Sequence, residues 1–410
     1  MRPMQAEIAS PQTLLRHAPF TLYFLGRVFS EFAYQISAVA IGWQIYALTH
    51  SAFALGMVGL AQFLPTLALT FTAGHVADRH DRRRIVQLCQ LAQAGAALFL
   101  ALGSFGGWLT VPQIFAAVLV FGTATAFESP AAAALLPAVV PDGMLQRGTA
   151  LSTGAFQVAI VSGPALGGLT YALGSWVPYA IMAACWLLGM MVTAAIRLDR
   201  PALPSREPAS WSTMFAGATF VRDNPAILGT ISLDLFAVLL GGATALMPIY
   251  AADILHTGPW GLGILRGAPA IGALAISLTL ARWPIERRTG LRMFQAVILF
   301  GLGTIVFAVS HDMWLSLAAL VFMGAADTVS MVIRISLVQL ATPDAMRGRV
   351  SAVNFLFVNA SNQLGEFRAG LAAALMGTVP AALMGGIGTV AVALLWMKLF
   401  PALKDWDRLE

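Results

Sequence analysis

Five carboxylates, Glu31, Glu128, Asp234, Asp327 and Glu366, and four arginines, Arg27, Arg266, Arg334 and Arg368, stand inside long apolar runs of the chain. An ionised group left unpaired in hydrocarbon costs several kcal/mol, so each must face a wet interior, pair with another, or snorkel. Carboxylates held this way can take up and release protons, because burial and nearby cations move their proton affinity in opposite directions. Glu31, Asp234 and Glu366 are the first candidates for that work. Arg27 and Glu31 are four apart, which suits an i,i+4 pair acting as gate, clamp or substrate contact. Arg334 follows Asp327 by seven residues, roughly two turns along one face, and Pro130 loosens the helix just after Glu128. The histidines at 17, 50, 75, 80, 256 and 311 all fall in tails, loops or helix ends, so any buried proton relay must run through carboxylates.

The polar run from Asn359 to Arg368 includes Asn359, Ser361, Asn362, Gln363 and Glu366. Asn359, Gln363 and Glu366 share a stripe at spacings of four and three, lining an interior space or bonding to neighbouring helices. No phosphate loop, HExxH pattern or cysteine cluster accompanies them. Cys89 and Cys185 sit in apolar stretches as small core residues. No metal, cofactor or ATP drive is expected from this chain, although an ATP-driven partner chain stays open.

The elements that position these residues follow from composition. Of 410 residues, 58% are hydrophobic and 10% charged, against roughly 25% charged in soluble domains; mean hydropathy is +0.78. A membrane span takes about 20 apolar residues, and apolar runs predict twelve helices, over 20–48, 53–76, 85–105, 111–136, 148–172, 176–196, 225–251, 259–281, 291–310, 313–338, 349–375 and 379–400. The fold class is an all-α membrane protein of two six-helix bundles, 20–196 and 225–400, joined by a polar linker, 197–224. Short tails, 1–19 and 401–410, flank the bundles, and the first lacks the form of a signal peptide. Trp211 to Val221 within the linker suits an amphipathic surface helix.

Twenty of the 24 Lys and Arg fall in the tails, the linker, or the even-numbered loops and the span ends that border them, and the other four are the arginines deeper inside spans. This one-sidedness places both termini and the linker in the cytoplasm. The pI of 9.6 does not point to nucleic acid, because the basic residues are dispersed among loops. Abundant Arg, Ala and Gly hint at a GC-rich bacterium, hence a bacterial inner membrane.

The halves also repeat. Pro141, Asp142, Met144, Arg147 and Ala150 recur 202 residues later as Pro343, Asp344, Met346, Arg349 and Ala352, and Gly122, Gly163 and Gly168 recur as Gly324, Gly365 and Gly370. A parallel repeat of this period implies two similarly oriented bundles around a central cavity. Each Pro-Asp block opens a helix, the fifth and the eleventh, as a cap or as part of a gate.

Gly74, Asp78, Arg79, Arg82 and Arg83 form a basic hairpin between the second and third spans, with Asp81 between them. It resembles the loop signature of the major facilitator superfamily, Gly-x-x-x-Asp-Arg-x-Gly-Arg-Arg, with Asp81 where the pattern has Gly. Gly154 and Gly163-Pro164-Ala165-Leu166-Gly167-Gly168 resemble the Gly-Pro-x-x-Gly-Gly antiporter signature of facilitator exporters, whose small residues allow close helix approach. With Arg27, the Thr49-His50-Ser51 turn and the Thr342–Met346 loop, nearly the whole chain resembles the branch of that superfamily containing the bacterial enterobactin exporter and related efflux permeases. The resemblance implies export of a small organic molecule (siderophore, drug or sugar-like) driven by protons, with alternating access and no catalysis. The site would lie near mid-membrane, with Tyr34, Gln35, Phe127, Phe355, Asn359 and Gln363 as wall residues. The Asp78 hairpin would latch onto the eleventh helix when the cavity faces outward. The implied partners are the substrate, protons as coupling ion and membrane lipid; no oligomeric partner is assigned. An importer of the same fold, a lipid flippase and a non-transporting sensor are the competing readings.

Overall fold

The computed structural model describes residues 14–197, 211–285, 287–404 and 406–407. Residues 1–13 of the expected tail and 198–210 of the expected linker lie outside the described residues, as do the side chains of Asp78 and Phe355. The elements are helical: α1 (Ala18–Thr49), α2 (Ala52–Arg79), α3 (Arg82–Phe105), α4 (Val111–Val139), α5 (Leu145–Leu173), α6 (Val177–Ala194), α7 (Trp211–Asp223), α8 (Pro225–Gly241), α9 (Gly258–Arg282), α10 (Thr289–Val309), α11 (Met313–Ala341), α12 (Asp344–Met376), α13 (Thr378–Leu399) and the short α14 (Pro401–Lys404). Among the described residues, 10 helices are long and apolar enough to cross a membrane by length and composition. The remaining long helices are α1, with Arg27 and Glu31, and α12, with the polar run from Asn359.

Local chemistry sets the helix ends. Ser51 accepts a hydrogen bond from the Ala54 amide at 3.3 Å to start α2, and Asp312 accepts one from Leu315 at 2.8 Å to start α11. His50, with φ 46, ends α1 in the left-handed region. The seventh span is not continuous, contrary to the sequence expectation of 225–251. It breaks at Gly241-Gly242, turns through a 3₁₀ segment (Thr244–Leu246) and one α turn (Met247–Ile249), and ends in a π segment, Tyr250–Ile254. Adjacent glycines raise the entropic cost of helix here, and Pro248 has no N–H to donate back to Thr244. The two Pro-Asp blocks also differ. Pro343 directly caps α12, whereas after Asp142 the chain turns at Gly143, φ 78, and α5 starts at Leu145. Both still close the same turn, Met144 N–H to Pro141 O at 3.1 Å and Met346 N–H to Pro343 O at 2.9 Å. α7 forms where an amphipathic helix was expected. Gly217 there backs onto the Arg349 carbonyl at the start of α12, and Val221 is buried with Val350 and Val353.

Helices α1–α6 pack on one another, as do α8–α13, and the groups meet through α2 on α12 and α5 on α9. These meetings are glycine-to-glycine. A Cβ at Gly370 would meet the Ala52 carbonyl and Gly56, and one at Gly168 would meet the Pro259 carbonyl and Gly263. The two sets correspond with offsets of 202 (168 to 370) and 207 (52 to 259, 56 to 263). The same offsets relate Gly122 against the Gln62 carbonyl to Gly324 against the Pro269 carbonyl. The meetings lie toward one end of the bundle, which carries the arginine-free turns at 49–52 and 254–258. Tyr46 of α1 and Asp253 of the π segment hydrogen-bond there, adding a polar tie. Large apolar side chains such as Leu88, Leu102, Leu278 and Trp314 face outward, as lipid-facing surfaces require.

Leucine at Gly168 or Gly370 must displace a neighbouring backbone and should lower stability by about 1–3 kcal/mol. Leucine at Gly154, where nothing lies within 4 Å, should change it by less than about 0.5 kcal/mol. Thermal unfolding of the detergent-purified variants checks the contrast, and equal losses at all three positions would refute it.

Candidate functional site

A cavity of about 210 Å³ lies between the helix groups, bordered by α1, α2, α4, α9, α12 and the 3₁₀ turn after α8. Its polar wall is Tyr34 and Gln35 from α1, Gln62 from α2, Arg266 from α9, and Gln363 and Glu366 from α12; Ile41, Leu55 and Phe121 supply apolar area. Gly59 of α2 makes room for this wall: a Cβ there would lie 2.8 Å from Glu366 Oε2 and 3.2 Å from Gln363 Oε1. Arg266 and Glu366 feel each other's charge, yet no ion pair within 4.0 Å joins them among the described residues. Arg266 Nε and Gln363 Oε1 are buried without hydrogen-bond partners. A cation, a carboxylate and an amide oxygen therefore face one space with bonding capacity left over. Such a site can orient a small molecule by an acceptor group at Arg266 and a donor at Glu366 or Gln363.

The other ionisable residues are placed differently. Glu31 accepts a hydrogen bond from Gln35 at 2.8 Å. The expected Arg27–Glu31 pair does not form, because the neighbour four residues on supplies the donor instead. Glu128 is buried between helices, accepting from Ser30 at 2.7 Å and Gln90 at 3.2 Å. Asp234 of α8 binds Arg334 of α11 directly, and Asp327, half exposed, stands 3.7 Å from the same guanidinium. Arg368 donates to the Leu240 carbonyl at the end of α8, so it serves the broken helix as a C-terminal cation. Of the expected wall residues, Tyr34, Gln35 and Gln363 line the cavity. Phe127 instead packs beside Ala77 and Ile85, within the first helix group. Asn359 is half-buried on α12, outside the cavity wall.

The basic hairpin is braced internally. Arg82 is buried and its Nε donates to the Ala77 carbonyl at 3.3 Å. Arg83 pairs with Asp81 at 3.0 Å and donates to the Ile196 carbonyl beyond α6 at 2.7 Å. Arg79 is exposed, and Gly74 lies in the closing turns of α2. Asp81, standing where the family pattern has Gly, caps α3 by accepting from the Arg83 amide at 3.0 Å. Its φ of −61 needs no glycine. Partial burial would raise its carboxyl, but the Arg83 hydrogen bonds and the charges of Arg83 and Arg84 hold it below the usual range. In the antiporter-like run, Gly163 and Gly167 lie against Gln35 and Ile36 of α1, and Gly263 of α9 lies against the Pro164 carbonyl. Gln62 and the Tyr46–Asp253 tie escaped sequence reasoning; the polar Gln62 three residues before Pro65 was the available signal.

Two helix groups of this order, around a central charged cavity, define a membrane transporter of the major facilitator fold. The family model described as "Transmembrane secretion effector" matches residues 9–410. The enterobactin exporter EntS of Citrobacter koseri is 28% identical, over 98% of this chain and 96% of its own length. Among solved structures, the nucleoside transporter NupG aligns with a TM-score of 0.71 at 17% identity, covering 93% of this chain and 99% of NupG. A bacterial homologue of the iron transporter ferroportin, in an inward-facing state, aligns at 0.71 and 16% identity over 95% and 99% of the chains. The chain belongs to the transmembrane secretion effector family of the major facilitator superfamily, in the branch that contains the enterobactin exporters. It is a multi-pass transporter and not an enzyme.

The Asp234–Arg334 contact is nearly buried, with side-chain exposures of 9% and 11%. Asp234→Asn leaves the arginine with only Asp327 at 3.7 Å and should cost about 3 kcal/mol. Adding Arg334→Gln should recover part of that loss. Chemical denaturation of both variants checks this, and strictly additive losses would contradict the pairing.

Proposed function

We propose that the protein exports a small organic molecule of siderophore type across the bacterial cytoplasmic membrane, in exchange for protons. The observation that carries this reading is the unpaired Arg266–Glu366 couple lining a cavity between two helix groups. Kinship with enterobactin exporters over nearly the full chain supports export. The positive-inside pattern supports an orientation with both termini and the linker in the cytoplasm. In that orientation the glycine and Tyr46–Asp253 contacts seal the outer end, and the cavity is reached from the cytoplasm.

The exchange then follows from competition for one carboxylate. An acceptor group of the substrate occupies Arg266, and a donor group hydrogen-bonds Glu366. Bonding to the ionised form favours it over the protonated one, so substrate and proton exclude each other at Glu366. Substrate arriving from the cytoplasm releases the proton there. Once the cavity has opened outward and the substrate has left, Glu366 takes a proton from outside and carries it back. Residues 20–196 and 225–400 act as the two rocking bodies, joined by 197–224. The Asp78 hairpin holds the cytoplasmic ends together in the outward-facing state, and Glu31, Asp234 and Asp327 tune the balance between states.

Proteoliposomes containing a lumenal pH dye test this. Substrate entering the lumen should drive protons out, so the lumen should become alkaline. Glu366→Gln should abolish that shift, and Arg266→Ala should weaken substrate binding by about 10–100-fold, the loss of a charged hydrogen bond. Substrate flux without lumenal pH change, or pH coupling intact in Glu366→Gln, would overturn the proton assignment. Asp78→Asn should raise the labelling of cytoplasmic-side cysteine probes; unchanged labelling and transport would remove the latch.

A further inference from the structure

At the arginine-bearing end of the molecule, two basic loops are built differently. In the hairpin between α2 and α3 the guanidinium groups serve the fold: Arg82 is buried on the Ala77 carbonyl, and Arg83 holds Asp81 and the Ile196 carbonyl. The connection between α9 and α10 carries Arg282, Arg287, Arg288 and Arg292, all exposed. Among the described residues none of these four forms an ion pair. Backbone sets the shape of this loop instead. At the start of α10 the Thr289 and Gly290 amides donate to the Asp407 and Trp406 carbonyls at 3.3 and 3.0 Å. The Arg288 amide donates to Asp407 Oδ1 at 3.0 Å, and the Thr289 hydroxyl donates to the Trp406 carbonyl at 3.1 Å. Leu403, 1% exposed, anchors that segment in the core of the second group, and Gly290 lies against its carbonyl with no room for a Cβ.

Beside these arginines the surface turns apolar. Trp283 is 69% exposed. On α9, Ile264, Ile271 and Leu278 stand exposed on one face, and Arg282 follows on that face a turn later. On α10, Leu299 and Val306 continue the line that Arg292 begins. α11 packs against both helices, so the loop joining them crosses its end, where Leu340 is exposed. Guanidinium groups over an apolar wall, with an indole at the boundary, match an anionic phospholipid: a phosphate for the cations and acyl chains along the helices. Any basic loop near a membrane draws anionic lipid to some degree. This one differs in that other contacts already hold its backbone while its arginines serve no ion pair, so a headgroup binds with little ordering of the loop.

We propose that Arg282, Arg287, Arg288 and Arg292 bind the headgroup of an anionic phospholipid of the surrounding membrane, with Trp283 at its glycerol level. A lipid seated there ties α9 to α10 across the end of α11. The site lies outside the Arg266–Glu366 cavity, and it stands whichever substrate that cavity takes and whether or not protons drive export.

Native mass spectrometry and thermal unfolding of the detergent-purified full chain, titrated with phosphatidylglycerol or phosphatidylcholine at constant ionic strength, test the site. Saturable retention of phosphatidylglycerol in preference to phosphatidylcholine is expected, with a rise in melting temperature. Arg287→Gln and Arg288→Gln should each weaken that binding by about fivefold, the effect of one basic residue at a charged membrane surface. Arg222→Gln, which removes an exposed charge at the end of α7, should leave it unchanged. No preference for phosphatidylglycerol overturns the proposal. An equal loss in Arg222→Gln also overturns it, since diffuse surface charge would then account for the binding. Equal stabilisation by inorganic phosphate alone overturns the lipid and assigns the arginines a soluble anion.

Discussion

Hydrocarbon offers no hydration to an ionised side chain, and every charge placed in the spans of this protein answers to that constraint. Arg334 is shared between Asp234 and Asp327, and Arg368 gives one N–H to a carbonyl at the end of a broken helix while its Nε and Nη1 stay buried without partners. Glu31 and Glu128 take neighbouring amides and a hydroxyl. Against these, Arg266 and Glu366 stand apart. They have opposite charges, share a cavity and are not joined. Opposite charges held apart beside a cavity cost stability, and binding is the use to which that cost can be put.

The break in α8 answers to the same constraint. Gly241-Gly242 ends the helix and exposes its last carbonyls, and Arg368 arrives from α12 to cover one of them. Glu366, two residues before Arg368, lines the cavity beside the 3₁₀ turn. One turn of α12 therefore both caps the broken helix and carries the cavity acid. Irregular backbone inside a membrane is tolerated where it is buried in protein or lines a cavity, and this segment does both.

Much of this was legible in the sequence. The all-helical membrane class, the basic hairpin and the facilitator resemblance followed from long apolar runs and residue patterns that packing cannot easily disguise. The repeat was legible only in part. The 202 offset showed in α4, α5 and α12, but its partner helices α2 and α9 are related by 207, so the symmetry of contacts became visible only in three dimensions. Asp81 was read as a departure from a motif, because sequence marks a missing glycine and not the helix start that replaces it. Arg27 looked like the partner of Glu31 because i,i+4 spacing permits it, yet Gln35 has the same spacing on the other side and takes the bond. Periodicity gives the face and leaves the choice among neighbours on that face to packing. Phe127 shows the limit again: its place beside Glu128 drew it toward the cavity, and a helix turns adjacent residues about 100° apart.

The glycine contacts set how closely the two groups approach. Gly168 on Gly263 and Gly370 on Gly56 bring backbones together without side chains between them. Such contacts gain dispersion over a small area and are directional only in being short, so they can form and part without unthreading interlocked side chains. Tyr46 and Asp253 add one polar tie across the same seam. In the proposed alternating access, a seam of this kind near one end of the molecule would be the closure that the two groups adopt or abandon. Trp186, Tyr179 and Phe121 fill the first group and Phe294, Met293 and Ile333 the second, and one buried apolar cluster, with Ile36, Ile41 and Leu55 on one side and Leu262 and Leu265 on the other, runs across both. In the proposed exchange, backbone-to-backbone glycine contacts beside a cavity of about 210 Å³ would let a charge rearrangement there act on whole helices.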